Sequence, residues 1–404
     1  MRHSGLMTTY GLIVIGSGPA GVAAAASYLE ADGEGPVLLL TADEHPPYER
    51  PPLSKESLRG GEPELTPNAS ADGLDGVEIR LGTTVDAVDL DARAVRAGGE
   101  EIPFASLVLA PGAHPRVLDG VDADAEVRVL RTYADLERLA ESAGHARTAL
   151  VVGSGFIGCE AAVSLALRGL DVTVVSSEAT PQADRLGERA GALVEDLLVG
   201  HGITLRGGVQ ISGIRAPRTV HLDDGTTIEP DLVLLAVGVE PSTSWLEGSG
   251  LQLHEGRVVV DEHLRAEEGV FAAGDAARAH NATAGRPIPV EHWFDAETMG
   301  SVAGAGAAGQ DATWDSVPGF WSQIGEHWLK YAAWGDGHDE LEAVERPGGL
   351  TVWYGREGTL VGVLTYNADD DYERGEQLVA QAAPFAAGPR GDQPEGEGEE
   401  DAEG

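Results

Sequence analysis

The sequence predicts an α/β protein in three parts: two copies of one strand–helix–strand plan, followed by a small α+β domain. Three observations carry this reading. The stretch "YGLIVIGSGPAGVAAAASYLEADGEGPVLLLTADE", Tyr10 to Glu44, runs as apolar strand, Gly-rich turn, Ala-rich helix, Gly-containing turn and second apolar strand. "TALVVGSGFIGCEAAVSLALRGLDVTVVSSE", Thr148 to Glu178, repeats that order. From Trp314 onward the pattern changes to short alternating runs, and this last part holds five of the seven tryptophans. A chain of 404 residues is long enough for two or three domains with ample cores.

The elements follow in order. After each strand–helix–strand unit come alternating segments with turn signals. "VEIRLGTTVDAVDLDARAVRA" and "ITLRGGVQISGIRAPRTVHLDDGTTIEPDLVLLAVG" predict strand meanders. "LVLAPGAHPR" and "LVLLAVGVEP" predict buried strands that close the two halves, ending at Gly112 and Gly238. From Glu255 a strand, a turn and another strand end at Gly274–Asp275 and return the chain to the first domain. In the third region "HWLKYAAW", "DELEAVE", "LTVWYG" and "TLVGVLTYN" predict strands, and "DYERGEQLVAQAA" a helix. The expected domains are 9–118 with 247–314, then 119–246, then 315–387. Residues 1–8 and the Gly/Glu-rich tail 388–404 are expected to be disordered.

Composition narrows the function classes. No run of eighteen apolar residues exists, so no membrane span is expected. The start lacks a cationic region followed by an apolar stretch and a small-residue cleavage site, which predicts a cytoplasmic protein. The single cysteine, Cys159, rules out an internal disulfide framework and a redox cysteine pair, and reads as a small buried hydrophobe. No metal site is expected. Twenty-seven basic side chains against sixty-seven acidic ones leave a formal net charge of −40, and only seven of the acids lie in the tail from Gly388. Such a field makes nucleic acid and anionic membranes poor partners. It fits a halophilic host, whose salt screens the self-repulsion; an acidic, Arg-biased, GC-rich genome is the alternative.

The Gly-rich turns carry the chemistry. In GSGPAG, Gly16 permits the tight turn, Gly18 lets a pyrophosphate approach the backbone, and Gly21 lets helix and strand pack closely. The phosphates then meet the helix N-terminus, opened by Pro19 and Ala20, where free N–H groups and the dipole favour anions. An acid about twenty residues on is expected for the ribose hydroxyls. Asp43 fits, with Glu44 the alternative. In GSGFIG, Gly153, Gly155, Phe156, Ile157 and Gly158 repeat the arrangement. Glu178 stands where it would bind a 2′-hydroxyl and repel a 2′-phosphate, which favours NADH, although Ser176 and Ser177 could reach a phosphate. In "FAAGDAA", Gly274 and Asp275 end a strand. The acid can accept a hydrogen bond from a flavin's ribityl chain, cap the next helix, or do both.

Taken together, GSGPAG, PYERPPLSK, LVLAPGAHPR, LRTYAD, GSGFIGCE, VFAAGDAA, VEHW and GFWS resemble the FAD-containing, pyridine-nucleotide-dependent ferredoxin and rubredoxin reductases, a group that includes apoptosis-inducing factor. The resemblance covers about residues 10–382, and PYERPPLSK with GSGFIGCE is its most specific pairing. It implies an FAD domain and an NAD domain, both Rossmann-like. It also implies an ion pair beside the flavin N5 between Lys55, one of only two lysines in the chain, and Glu160. It assigns Arg50 and Arg131 to the FAD phosphates and flavin edge. Val85 and Ala110 go to the adenine side, and Trp293 to the isoalloxazine, with core packing as that residue's alternative. Gly112, Gly238 and Glu291 complete the implied cofactor contacts.

Two departures stand out. Ala110-Pro111-Gly112 replaces the family's Ala-Thr-Gly, removing a hydroxyl and a backbone donor. Ala266 stands where the strand before Gly274 usually begins with Thr. The activity implied is hydride transfer from NADH (or NADPH) to FAD, then single electrons to an iron–sulfur protein such as a ferredoxin. The alternatives are an NADH oxidase or quinone reductase, and a redox sensor of apoptosis-inducing-factor type. Oxidase-type relatives need a cysteine near residue 45, and none exists here. An acidic body repels an acidic ferredoxin unless arginines cluster, with Arg286 a candidate, or salt screens the field. A dimer is the oligomer considered.

Overall fold

The computed structural model describes residues 9–60 and 63–389. They form two compact units. One comprises residues up to Ser316 together with Ser322–His327; the other comprises Val317–Trp321 and the chain from Trp328.

In the first unit, the strand Tyr10–Ile15 lies parallel between Val37–Leu40 and Glu100–Leu109. Val77–Arg80 extends the sheet beyond Val37–Leu40, and Val270–Ala272 extends it beyond Glu100–Leu109. Leu12–Val14, Leu38–Leu40 and Leu107–Leu109 are fully buried. Unbroken apolar runs of this kind belong to parallel strands covered on both faces. Val270–Ala272 is the returning strand that the sequence predicts. The segment after the first strand–helix–strand gives up its first strand, Val77–Arg80, to the parallel sheet, while Val85–Asp89, Ala94–Ala97 and the start of Glu100–Leu109 pair antiparallel in turn. Val77–Arg80 finds a parallel partner in Val37–Leu40, and the turn at Gly82, φ +57, separates it from the alternating run.

The second parallel sheet runs Thr204–Arg206, Asp171–Val175, Thr148–Val152, Leu232–Leu235, Val127–Arg128. Here too the predicted meander gives up its first strand to the parallel sheet. Its remainder, Ile211–Ile228, makes a three-stranded antiparallel sheet. Ile214, Val220 and Leu222 pack with Leu150, Val152, Val175, Val233 and Leu235 in one core. The helix Tyr133–His145, absent from the sequence reading, begins with a capping box between Thr132 and Asp135.

The last sheet runs Gly319–Ile324, His327–Ala333, Thr359–Tyr366, Gly349–Arg356, Glu340–Arg346, with the helix Asp369–Ala380 following; Ser322–His327, the tip between its first two strands, belongs to the first unit and the rest to the second. Of the acidic tail, Gly388 is buried, and a Cβ there would lie 2.7 Å from the Trp353 ring. Residues 390–404 and 1–8 lie outside the described residues. Among those described, no helix is long and apolar enough to cross a membrane.

Candidate functional site

The two Gly-rich turns are built alike. Gly16 has φ +108, and a Cβ there would fall 2.0 Å from the Ala110 carbonyl oxygen. A Cβ on Gly21 would fall 1.9 Å from the Gly16 oxygen. Gly153, φ +105, meets the Ala236 oxygen at 2.3 Å in the same sense, and Gly158 meets the Gly153 oxygen at 2.3 Å. Gly18 caps the helix Pro19–Glu30 and Gly155 caps Phe156–Leu167. Neither helix has a side-chain cap or an acid in its first turn. Their first N–H groups and dipoles therefore face outward for an anion.

Cations surround the first loop. Arg50 Nη1 lies 2.5 Å from where a Gly18 Cβ would be, and its Nε is buried without a hydrogen-bond partner. Desolvation, and then the like charge of Arg131, push the Arg50 guanidinium below its ordinary pKa. Arg131 donates to Asp275 Oδ2 at 2.6 Å and to the Ala113 carbonyl at 3.0 Å. Arg131 and Asp275 are thus brought together. Gly112, φ +68, sits beside Arg131 Nη2, while Val85 and Ala110 are buried. No helix begins at Asp275, contrary to the capping role: a single 3-10 turn, Gly274–Ala276, leads into the strand Ala277–Asn281. The polar turn faces a later helix instead. Ala296 of Trp293–Ala307 would lie 3.3 Å from a Cβ on Gly274. Trp293 is the half-buried first residue of that helix. Glu291 is exposed and paired with Arg257.

Asp43 accepts from Tyr48 at 2.7 Å and from the His45 backbone at 3.0 Å, so it braces its own loop, while Glu44 is exposed. The Tyr48 hydroxyl also accepts from the Tyr133 amide at 2.9 Å, and burial raises its pKa to about 12. At the second loop Ser154 and Ser176 share a 2.7 Å hydrogen bond, and Ser177 is exposed. Glu178 is half-buried, and desolvation raises its pKa. Gln182, with φ +61, donates from Nε2 to the Ser154 carbonyl at 2.9 Å. Gly238 has φ +98. Cys159 is wholly buried and burial raises its thiol pKa, which leaves it unreactive.

The joint between the halves is polar and buried. Lys55 Nζ lies 2.8 Å from Glu160 Oε2, and both side chains are about one-twentieth exposed. Lys55 also donates to the Pro51 carbonyl at 2.8 Å. Ser54 Oγ donates to Glu160 Oε2 at 2.5 Å, Ser322 Oγ to Oε1 at 2.7 Å, and the Gln323 amide to Oε1 at 3.1 Å. Along the same helix face, Ser164 donates to the Ser54 carbonyl at 2.7 Å, and Arg168 to the Leu58 and Gly60 carbonyls at 2.9 and 2.7 Å. Glu160, Ser164 and Arg168 follow the i, i+4 spacing of one helical stripe. Ser54, Ser164, Arg168 and Ser322 escape the sequence reading. The stripe spacing could have flagged Ser164 and Arg168; Ser54 and Ser322 lie inside the motifs PYERPPLSK and GFWS, but nothing there assigns them a role.

Residues 10–309 match the model of the pyridine nucleotide-disulphide oxidoreductase family. The chain is 30% identical over 384 residues to the anthranilate 1,2-dioxygenase system ferredoxin–NAD(+) reductase component of Burkholderia cepacia, covering 92% of this chain and 94% of that protein. It is 32% identical to the 5,5'-dehydrodivanillate O-demethylase ferredoxin reductase subunit of a Sphingobium species, covering 92% and 94%. Among solved structures, the covalent putidaredoxin reductase–putidaredoxin complex matches with TM-score 0.85 at 26% identity, covering 92% and 93%. With this fold, these loops and these relatives, the chain belongs to the pyridine nucleotide-disulphide oxidoreductase family, as an FAD-dependent oxidoreductase of its ferredoxin reductase group.

Proposed function

We propose that this protein oxidises NADH and delivers the electrons singly to a [2Fe–2S] ferredoxin or a similar iron–sulfur protein. The carrying observation is the buried Lys55–Glu160 pair, one member from each dinucleotide-binding half. A desolvated ion pair of this kind is weak as a stabiliser, which makes a role in charge control the better reason for its position.

The residues fit FAD at the first loop. A pyrophosphate would satisfy the uncapped helix start at Gly18–Gly21 and the unpartnered Arg50 Nε. Arg131 and Asp275 would hold the flavin side, with Asp275 offering an acceptor to the ribityl hydroxyls. Asp43 or Glu44 would take the adenosine ribose, near Val85, Ala110 and Gly112. Trp293 would lie along the ring system. When bound, FAD accepts two electrons as hydride and releases them one at a time. Around it the chain positions and balances charge: Lys55 offsets negative charge near N5, and Glu160 holds Lys55 in place.

NADH would bind the second loop over Gly153–Gly158 and Gly238, with Glu178 on the ribose. In its ionised form Glu178 would repel a neighbouring 2′-phosphate and accept from a 2′-hydroxyl, which favours NADH over NADPH. The test is to purify the protein, reduce it anaerobically with NADH and then with NADPH, and offer a panel of ferredoxins. The expected result is a yellow protein, bleached faster by NADH, that reduces at least one ferredoxin with turnover. A colourless protein that cannot be reconstituted with FAD overturns the reading.

A further inference from the structure

The hairpin tip Ser322–His327 lies in the same compact unit as Glu160. Two of its donors fall on one atom: Ser322 Oγ and the Gln323 amide both donate to Glu160 Oε1. Ser54 and Lys55 donate to Oε2. Ser322 is 1% exposed and Glu160 3%. A carboxylate held on one oxygen only is free to swing about its last bond; held on both, it has one orientation.

The tip is itself seated. Gly325 has φ +64, and a Cβ there would fall 2.5 Å from His201 Nε2 and 3.5 Å from Val163 Cγ1. Val163 is one turn beyond Glu160 on the helix Phe156–Leu167. The His201 Nδ1–H is fixed on the Leu197 carbonyl at 2.7 Å. The absence of a side chain at Gly325 is what lets the tip come down on the helix within reach of Glu160.

We infer that Ser322 is a positioning residue for the flavin-side ion pair: together with the Gln323 amide it fixes Glu160 Oε1, and so keeps Oε2 on Lys55. It thereby moderates how much negative charge Glu160 presents to the ring. The inference rests on the proposed FAD–NADH reading. Removing the hydroxyl leaves Oε1 to the longer Gln323 hydrogen bond alone, so the carboxylate is less neutralised and less firmly held. The bound flavin then becomes harder to reduce and accepts hydride more slowly, while NADH binding to the second loop is untouched.

The experiment uses the full chain loaded with FAD, as Ser322→Ala, Ser322→Thr and wild type. Spectroelectrochemistry reads the flavin midpoint potential, anaerobic stopped flow reads the limiting rate of reduction and the NADH concentration at half-saturation, and hydrogen exchange on the apoprotein reads the Gln323 amide. In Ser322→Ala the rate is expected to fall about tenfold, the scale of one hydrogen bond to a charged group. The potential should fall by about 30 mV, a tenfold shift for a two-electron couple. The half-saturating NADH concentration should stay constant and Gln323 should exchange faster. Ser322→Thr, which keeps the hydroxyl, restores the rate, the potential and the exchange protection. If Ser322→Ala does not fold, Ser322→Cys, which keeps the volume and weakens the donor, is read the same way. An unchanged potential and rate in a folded variant, with normal wild-type reduction, overturn this inference alone. A wild type that takes up no FAD overturns the functional reading and the inference with it.

Discussion

At the residue scale, Glu160 is the most heavily engaged carboxylate of the site, with two donors on each oxygen. Its partners tolerate its burial only as a set. Glu160→Gln or Lys55→Met is expected to cost about 3–5 kcal/mol in urea unfolding, because each leaves an uncompensated buried charge. The double variant should recover part of that loss. Additive losses in the double-variant cycle would show that the pair is not energetically coupled. Tyr48 supplies a pH prediction. Its folded pKa of about 12 lies above the ordinary tyrosine value near 10. The folded state therefore keeps a proton that the unfolded chain releases. The stability tied to Tyr48 is whole below about pH 10 and is lost as pH rises toward about 12. Tyr48→Phe should flatten the alkaline limb of a pH series of unfolding free energies over that window. A limb of unchanged slope would place the titration elsewhere.

At the scale of elements, the first loop depends on close helix packing. A Cβ on Gly300 would lie 2.2 Å from the Ala20 oxygen, and one on Gly304 2.1 Å from the Ala24 oxygen. The helices Pro19–Glu30 and Trp293–Ala307 therefore touch backbone to backbone, small residue on small residue. Gly304→Ala should destabilise by about 1–3 kcal/mol through overpacking. Because the same packing fixes Ala20 beside Gly274, the variant should also bind FAD more weakly in a fluorescence titration. Normal FAD affinity alongside lowered stability would separate the packing from the site. The helix Phe156–Leu167 serves both halves. Its first turn offers an anion site, and its stripe of Glu160, Ser164 and Arg168 grips residues 51–60 of the other half.

At the scale of the molecule, the charge of −40 sets the conditions under which the site can work. Exposed like charges repel within the chain and between the chain and an acidic partner, and salt of about 0.1 M or more screens both effects. The rate of ferredoxin reduction at low partner concentration should therefore rise, about tenfold, from low to moderate ionic strength, and the melting temperature should rise with it. A rate that falls monotonically with salt would instead show local steering by clustered arginines.

The fold was legible because its rules act within short windows. A Gly with positive φ at a strand end, an Ala-rich helix and a second apolar strand define each half without reference to distant residues, and both turns take that form. Two resemblance-borne expectations, Lys55 and Glu160, also meet in space. What local sequence could not carry is convergence. The edge strands Val77–Arg80 and Thr204–Arg206 look like the hairpins that follow them until a parallel neighbour claims them. Asp275 looks like a helix cap until the chain turns into a strand, and its charge is met by Arg131, 144 positions away. Ser54 and Ser322 reach Glu160 across 106 and 162 positions. Backbone geometry and burial period are properties of neighbouring residues, so the sequence determined the two loops and their sheets. The orientation of one buried carboxylate depends on which donors close around it, and only the tertiary structure decided that.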